Sequence, residues 1–279
     1  MEKYGADTLR WYMLTNASPW DNLRFDMEGL EEVRRKFFGT LHNTYAFFAL
    51  YANVDDFQFK EAAIPASKRP EMDQWILSEL NSLIAQVVDS MEAFEPTRAF
   101  RPIQEFTVEK LSNWYVRLGR RRFWKGEYEA DKISAYQTLW TCLETLSRLM
   151  APLAPFYADR LYHDLYNGVV LEKENSVHLT EYPTSNEALI NKVLELKINT
   201  ARKLTSLVLS IRKKENLKVR QPLARVLVPA LNDDDSNILE SIQDLLLAEV
   251  NVKTIEIIAP DAGVFIKKVR PNFKALGPK

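Results

Sequence analysis

Leu30, Val33, Phe37, Leu41, Tyr45 and Phe48 recur at three- and four-residue steps, and predict an amphipathic helix of about five turns starting at Asp26. Its other face carries Arg35, Gly39, His42 and Asn43. Gly39 is costly in a helix interior, which fits close approach of a neighbouring helix or of a ligand backbone. After a linker over 53–69, Trp75, Leu77, Leu80, Leu83, Ile84 and Val87 predict a second helix from Met72 to about Phe94. Pro96-Thr97 restarts the chain, and a third helix runs from Phe100 to Trp124 with Pro102 tolerated in its first turn. Ile133, Tyr136, Leu139, Trp140, Leu143 and Leu146 mark a fourth from Glu129 to Met150, which Ala151-Pro152-Leu153-Ala154-Pro155 stops before a short helix over 156–166. Four long amphipathic helices and a short one predict an antiparallel bundle.

Beyond Tyr182-Pro183-Thr184-Ser185 the pattern changes. A helix over 187–212 leads through a basic loop to a short strand at Val226-Leu227-Val228. A helix near 236–249, a β-rich run over 250–258 and a further strand at Val264-Phe265-Ile266 follow. The fold class is thus mainly α: a helix bundle over 27–184 preceded by a compact segment over 1–26, then a helix and small α/β subdomain over 185–279.

The third helix is unusual in its polar positions. Residues 111–125 hold five cationic and four aromatic side chains. At about 100° per residue, Leu111, Trp114, Tyr115 and Leu118 share one side, while Asn113, Arg117, Arg120 and Trp124 share the other. A solvated face ordinarily mixes Lys with Glu; this one holds donors and an indole. Guanidinium forks suit phosphates and base edges, and an aromatic beside them suits an unpaired base. Single-stranded or loop RNA is one ligand this fits. The alternatives are that the arginines pair with nearby acids such as Glu105, Glu109, Glu127 and Glu129, or that the face meets an acidic protein.

Charge and composition narrow the classes. The net charge of −1 and pI near 6.4 do not advertise nucleic-acid binding, but the distribution is uneven. Residues 187–229 carry ten Lys/Arg against three Glu, and residues 230–263 eight Asp/Glu against one Lys. With 46% hydrophobic and 27% charged residues the chain reads as a soluble globular protein. No apolar run is long enough for a membrane span, and the N-terminus lacks a signal-peptide pattern. The single Cys142 and the dispersed His42, His163 and His178 leave no disulfide framework or metal-ligand spacing. There is no GxxxxGK[ST], GxGxxG, GxSxG or HExxH motif, and Asp55-Asp56 and Asp233-Asp234-Asp235 read as solvated turns.

Several segments together resemble one family. Tyr4-Gly5-Ala6-Asp7-Thr8-Leu9-Arg10-Trp11-Tyr12 resembles the stretch that follows the KMSKS loop of class Ia aminoacyl-tRNA synthetases. Leu111–Phe123 is similar to the LSNWYVR-x-x-RRRF helix of their isoleucyl branch. The run Leu146–Phe156, Val219-Arg220-Gln221-Pro222-Leu223, Glu249-Val250-Asn251-Val252-Lys253 and Pro271–Pro278 are similar to further segments of that branch, in its eukaryote-like form lacking a C-terminal zinc module. The first stretch is shared with the valyl and leucyl enzymes, so the valyl enzyme is the alternative.

The resemblance implies a C-terminal, anticodon-binding fragment of a cytoplasmic, monomeric ligase that attaches isoleucine to its tRNA. HIGH and KMSKS are absent here, so the resemblance puts ATP, Mg and the catalytic and editing domains outside this sequence, with no cofactor in the fragment and no activity alone. Residue by residue it implies tRNA contacts at Arg35, Lys36, Gly39 and Asn43 and at Asn113, Arg117, Arg120, Arg121 and Trp124. A second basic group comprises Arg212, Lys213, Lys214, Lys218 and Arg220. Trp11, Trp20 and Arg24 belong to a junction expected to expose apolar surface in a fragment.

Overall fold

The computed structural model describes residues 3–22, 24–230 and 232–259. They fall into two compact units, 1–192 and 193–279. The expected strand at 264–266 and the motif at 271–278 lie outside the described residues.

The first unit opens with α1 (Ala6–Asn16), followed by α2 (Met27–Glu32), a π-helical segment Val33–Phe38 and α3 (Gly39–Val54). The last three form one continuous rod. Asp26 starts it as the sequence suggests: its carboxylate accepts from the Glu28 and Gly29 amides at 3.0 and 3.2 Å. Leu30, Val33, Phe37, Leu41 and Phe48 are buried along it. Next comes α4 (Glu71–Glu92), then a second rod of α5 (Pro96–Glu105), a π-helical segment Phe106–Val116 and α6 (Arg117–Trp124). The bundle is completed by α7 (Ala130–Met150) and α8 (Pro155–Tyr166), with Trp75, Leu139, Leu143, Leu146 and Leu149 in its interior. Cys142 is fully buried among these helices as a small apolar side chain, and burial raises its thiol pKa.

The second rod departs from expectation at both ends of its first half. It starts at Pro96, so Pro102 sits inside the helix rather than in its first turn. From Phe106 the turn widens to i→i+5 bonding. Trp114, Tyr115 and Val116, at the end of this segment, are all core residues.

The compact N-terminal segment is part of this unit. Trp11 stacks on Phe37 with centroids 4.3 Å apart and donates its indole N–H to Gln104 at 3.1 Å. Thr97 donates to the carbonyls of Leu14 and Ala17, and Arg101 to those of Thr15 and Asn16, so α5 satisfies the open end of α1. Asp55, expected in a solvated turn, instead accepts from Lys132 Nζ at 2.9 Å and Tyr136, tying α7 to the end of α3.

The second unit holds α9 (Lys192–Lys214, its first residue belonging to unit 1), β1 (Leu223–Pro229), α10 (Asp233–Ser241), α11 (Gln243–Val250) and β2 (Val252–Ile258). The strands pair in parallel, Leu223 opposite Val252 through Pro229 opposite Ile258, with the two helices as the crossover. Where one helix over 236–249 is expected, two occur, separated at Ile242. Asp233, Asp234 and Asp235, expected in a turn, occupy the first turn of α10 behind an Asn232 cap, where the helix dipole favours negative charge. Val208, Leu246, Val250 and Val252 form the core of this unit.

The glycines divide against expectation. A Cβ on Gly39 would meet only the Arg34 carbonyl, at 3.5 Å, so no neighbouring helix requires that glycine. A Cβ on Gly29 would lie 2.7 Å from the Tyr12 ring, whose hydroxyl accepts the Asp26 amide at 2.9 Å. Gly39→Ala is therefore expected to leave urea-unfolding stability unchanged or raise it by up to ~1 kcal/mol. Gly29→Ala, which must displace a packed ring, is expected to lower it by ~1–3 kcal/mol.

Candidate nucleic-acid interface

The arginine-bearing end of the second rod is positioned by one buried carboxylate. Asp73, in the first turn of α4, is fully buried. It accepts from Arg122 Nη1 at 2.6 Å and Nη2 at 2.9 Å, from Tyr115 Oη at 2.8 Å and from Ser134 Oγ at 2.6 Å. Arg122 also donates its Nε to both oxygens of Asp131 at 3.1 Å and Nη2 to the Asp131 carbonyl at 2.9 Å. One guanidinium thus links α4, α6 and α7 through a two-pronged contact. Burial is the largest single influence and works against the Arg122 charge, but the hydrogen bonds and charges of its partners, Asp73 first, together outweigh it and hold its pKa above the ordinary range. Burial, then the charge on Asp73, keeps the Tyr115 phenol protonated far above its usual pKa.

With Arg122 turned inward, the remaining cations face out. Asn113, Arg117, Arg120, Arg121 and Lys125 are exposed, and the Trp124 indole is 49% exposed beside them. Arg117 is held by its own rod: Nε donates to the Asn113 carbonyl at 2.8 Å, and the guanidinium lies 5.6 Å from the Trp114 ring centroid. Arg120 and Arg121 enter no ion pair among the described residues. Glu105, Glu109, Glu127 and Glu129, near in sequence, do not neutralise them; Arg122 pairs with Asp73 and Asp131. Phe47 on α3 meets Phe123 edge-on at 5.1 Å, so the exposed Asn43, one turn before Phe47, lies on the rod alongside this end of α6.

The first rod's other expected contacts are placed differently. Arg35 is exposed, but Lys36 pairs with Glu32 at 2.5 Å. Lys36 lines a cleft of about 500 Å³ together with Glu32, Glu105, Glu109 and Arg101, the last already bonded to carbonyls. Three carboxylates in one cleft make a poor seat for a phosphate. Gly39 is half-buried and offers only backbone.

In the second unit, Lys213, Lys214, Lys218 and Arg220 are exposed. Arg212 is not. It is 1% exposed and spends its fork on four carbonyls, those of Lys218 and Gln221 from Nη1 and of Val250 and Asn251 from Nη2. The expectation that Arg212 belongs to a surface group is corrected: it pins the basic loop to the end of α11. Sequence reasoning also missed Asp73 and the separation of Arg122 from its neighbours. The only available signal was an acid in the first turn of an apolar helix, which names no partner 49 positions away.

The family described as "Anticodon-binding domain of tRNA ligase" matches this chain over residues 73–228. The chain is 56% identical over all 279 residues to the isoleucine–tRNA ligase of Bacteroides thetaiotaomicron and 55% identical to that of Porphyromonas gingivalis. It covers 24% of each. To that of Cytophaga hutchinsonii it is 54% identical over 277 residues, 99% of this chain and 25% of the relative. The chain therefore spans about a quarter of the length of the curated relatives it matches.

Removing one partner of a buried ion pair leaves the other charge uncompensated. Asp73→Ala or Arg122→Ala is expected to cost ~3–5 kcal/mol of unfolding free energy by urea titration. Arg121→Ala, one position away but on the surface, is expected to stay within ~0.5 kcal/mol of the parent.

Proposed function

This chain belongs to the anticodon-binding domain family of tRNA ligases, and we propose that it is the part of an isoleucine–tRNA ligase that holds the anticodon stem and loop of tRNA(Ile). The parent protein, in this reading, joins isoleucine to AMP with ATP and then transfers it to the tRNA 3′ end in the cytoplasm as a monomer. The catalytic and editing domains lie elsewhere in the parent chain, ATP and Mg belong to the catalytic one, and these 279 residues bind RNA without activating the amino acid.

The observation that carries the reading is the set of exposed side chains left around a clamped Arg122: Asn113, Arg117, Arg120, Arg121 and Trp124, with Asn43 on the adjoining rod. Guanidinium groups at 120 and 121 reach phosphate oxygens of the stem or loop and fix its register. The half-exposed Trp124 indole offers a surface on which an unstacked loop base lies, with Arg117 and Asn113 beside it for base edges. Lys213, Lys214, Lys218 and Arg220 supply a second, sequence-independent attraction to the backbone, whereas Arg212 contributes by holding the loop that carries Lys218 and Arg220. Among the first-rod residues, Asn43 and Arg35 are favoured over Lys36 and Gly39. No described helix is long and apolar enough to cross a membrane.

Binding of tRNA(Ile) to this chain, followed by fluorescence anisotropy at several salt concentrations, tests the assignment. Affinity is expected to fall log-linearly with salt, and Arg120→Ala and Arg121→Ala each to flatten the slope by about one. Trp124→Ala is expected to cost ~1–3 kcal/mol while leaving the slope unchanged, the signature of lost stacking. A chain that binds an acidic protein instead would show no dependence on the identity of the tRNA.

A further inference from the structure

α9 has two apolar faces, and only one of them is buried. Leu194, Ile198, Ala201, Thr205 and Val208 are buried along one side, and Val208 belongs to the core of its unit. Val193, Leu196, Thr200, Leu204, Leu207 and Ile211 follow one another at steps of three and four residues. At 100° per residue they stay within an arc of about 80°, roughly a third of a turn from the buried side. Val193 is 79% exposed, Leu196 54%, and Leu207 and Ile211 59% each; Thr200 and Leu204 between them are half-buried. A helix that packs on one side ordinarily turns polar residues to the other. Here a second apolar stripe about 27 Å long meets solvent, and exposed apolar surface arranged in this way marks an interaction site.

The borders of the stripe select its partner. Lys197 lies along one edge and Lys192, Lys203 and Lys214 along the other. Lys203 and Lys214 are exposed and enter no ion pair among the described residues. Glu195, the one acid of α9, is buried on another face. An apolar seam bordered by cations pairs with a helix that carries apolar residues at its centre and Asp or Glu at its edges. Two copies of α9 laid side by side, in either direction, would set lysine against lysine. The acidic helix α10 buries Leu239, and neither α10 nor α11 has an exposed large hydrophobic side chain to offer. Residues 260–279 carry five Lys/Arg against one Asp, the wrong charge for this seam. A lipid surface is a poorer match, because helices that lie in it present Trp or Phe on the apolar face, and α9 contains neither.

We propose that this face of α9 docks an acidic amphipathic helix of a partner protein. The partner's apolar residues lie along Val193, Leu196, Leu207 and Ile211, and its carboxylates face Lys203 and Lys214. The stripe itself holds no guanidinium and no aromatic ring, so the inference does not rest on the RNA-binding reading.

The test is an NMR titration of the isotope-labelled chain with a peptide made of three repeats of Leu-Ala-Ala-Leu-Glu-Ala-Glu, whose apolar seam is bordered by carboxylates. The same peptide with Lys for every Glu, and vesicles of phosphatidylcholine and phosphatidylserine, are titrated alongside, and sedimentation reports the oligomeric state. Saturable shifts are expected at the Leu196, Leu207 and Ile211 amides with the Glu peptide and none with the Lys peptide. Leu207→Ser is expected to weaken binding about 10-fold, and Lys203→Glu about 2- to 5-fold. Both positions are exposed, so the urea-unfolding midpoint is expected to stay unchanged. Absence of saturable shifts with the Glu peptide, or equal binding of the two peptides, overturns the proposal. Vesicle binding that Leu207→Ser removes would overturn it by assigning the face to a membrane. A dimer that Leu207→Ser dissociates would overturn it in favour of a second copy.

Discussion

The contact between Asp73 and Arg122 determines what the rest of the bundle presents to solvent. A fully buried carboxylate must be matched donor for donor, and here it receives two prongs from Arg122, the Tyr115 hydroxyl and the Ser134 hydroxyl. Those donors come from the π segment, α6 and α7, so satisfying one oxygen pair fixes three elements against α4. The rotation of α6 is set by the same requirement. Once Arg122 points inward, Arg120 and Arg121 point outward, and Trp124 projects from the end of the rod.

The rod that carries these residues also braces the N-terminal helix. Thr97, Arg101 and Gln104 hold α1 by its last carbonyls and by Trp11, while the exposed cations lie past the π segment. The π segment between Phe106 and Val116 ends on Trp114, Tyr115 and Val116, all in the core. Tyr115 thereby meets Asp73, and the ring of Trp114 comes within range of Arg117. Two jobs share one helix: bonds to the N-terminal helix at its start, and exposed cations around the inward Arg122 at its end.

Most of the helical organisation was legible because burial of one stripe imposes a 3.6-residue rhythm, and residues such as Leu30, Phe37, Leu139 and Leu146 keep it. The sorting of Asn113, Arg117, Arg120 and Trp124 onto the surface followed from that rhythm. What did not follow depends on partners distant in sequence. Nothing local distinguishes Arg122 from Arg121 or Arg212 from Lys213; each inward guanidinium is defined by oxygens that only the fold delivers. The π segments were invisible because an extra residue in a turn leaves no compositional mark. Pro102 was misplaced because a proline inside a helix reads like one at its start, and Gly39 drew attention that belonged to Gly29, whose neighbour is a ring 17 positions earlier. The RNA-binding role itself came from motif resemblance and from the chemistry of exposed arginine beside tryptophan, not from periodicity.

The most direct measurement is a titration of this chain with tRNA(Ile) and with the same tRNA carrying a substituted anticodon, at one moderate salt concentration. Tighter binding of the native anticodon is expected, by a margin that shrinks in Trp124→Ala and Arg117→Ala. Equal affinity for both RNAs, unchanged by either substitution, would contradict that expectation.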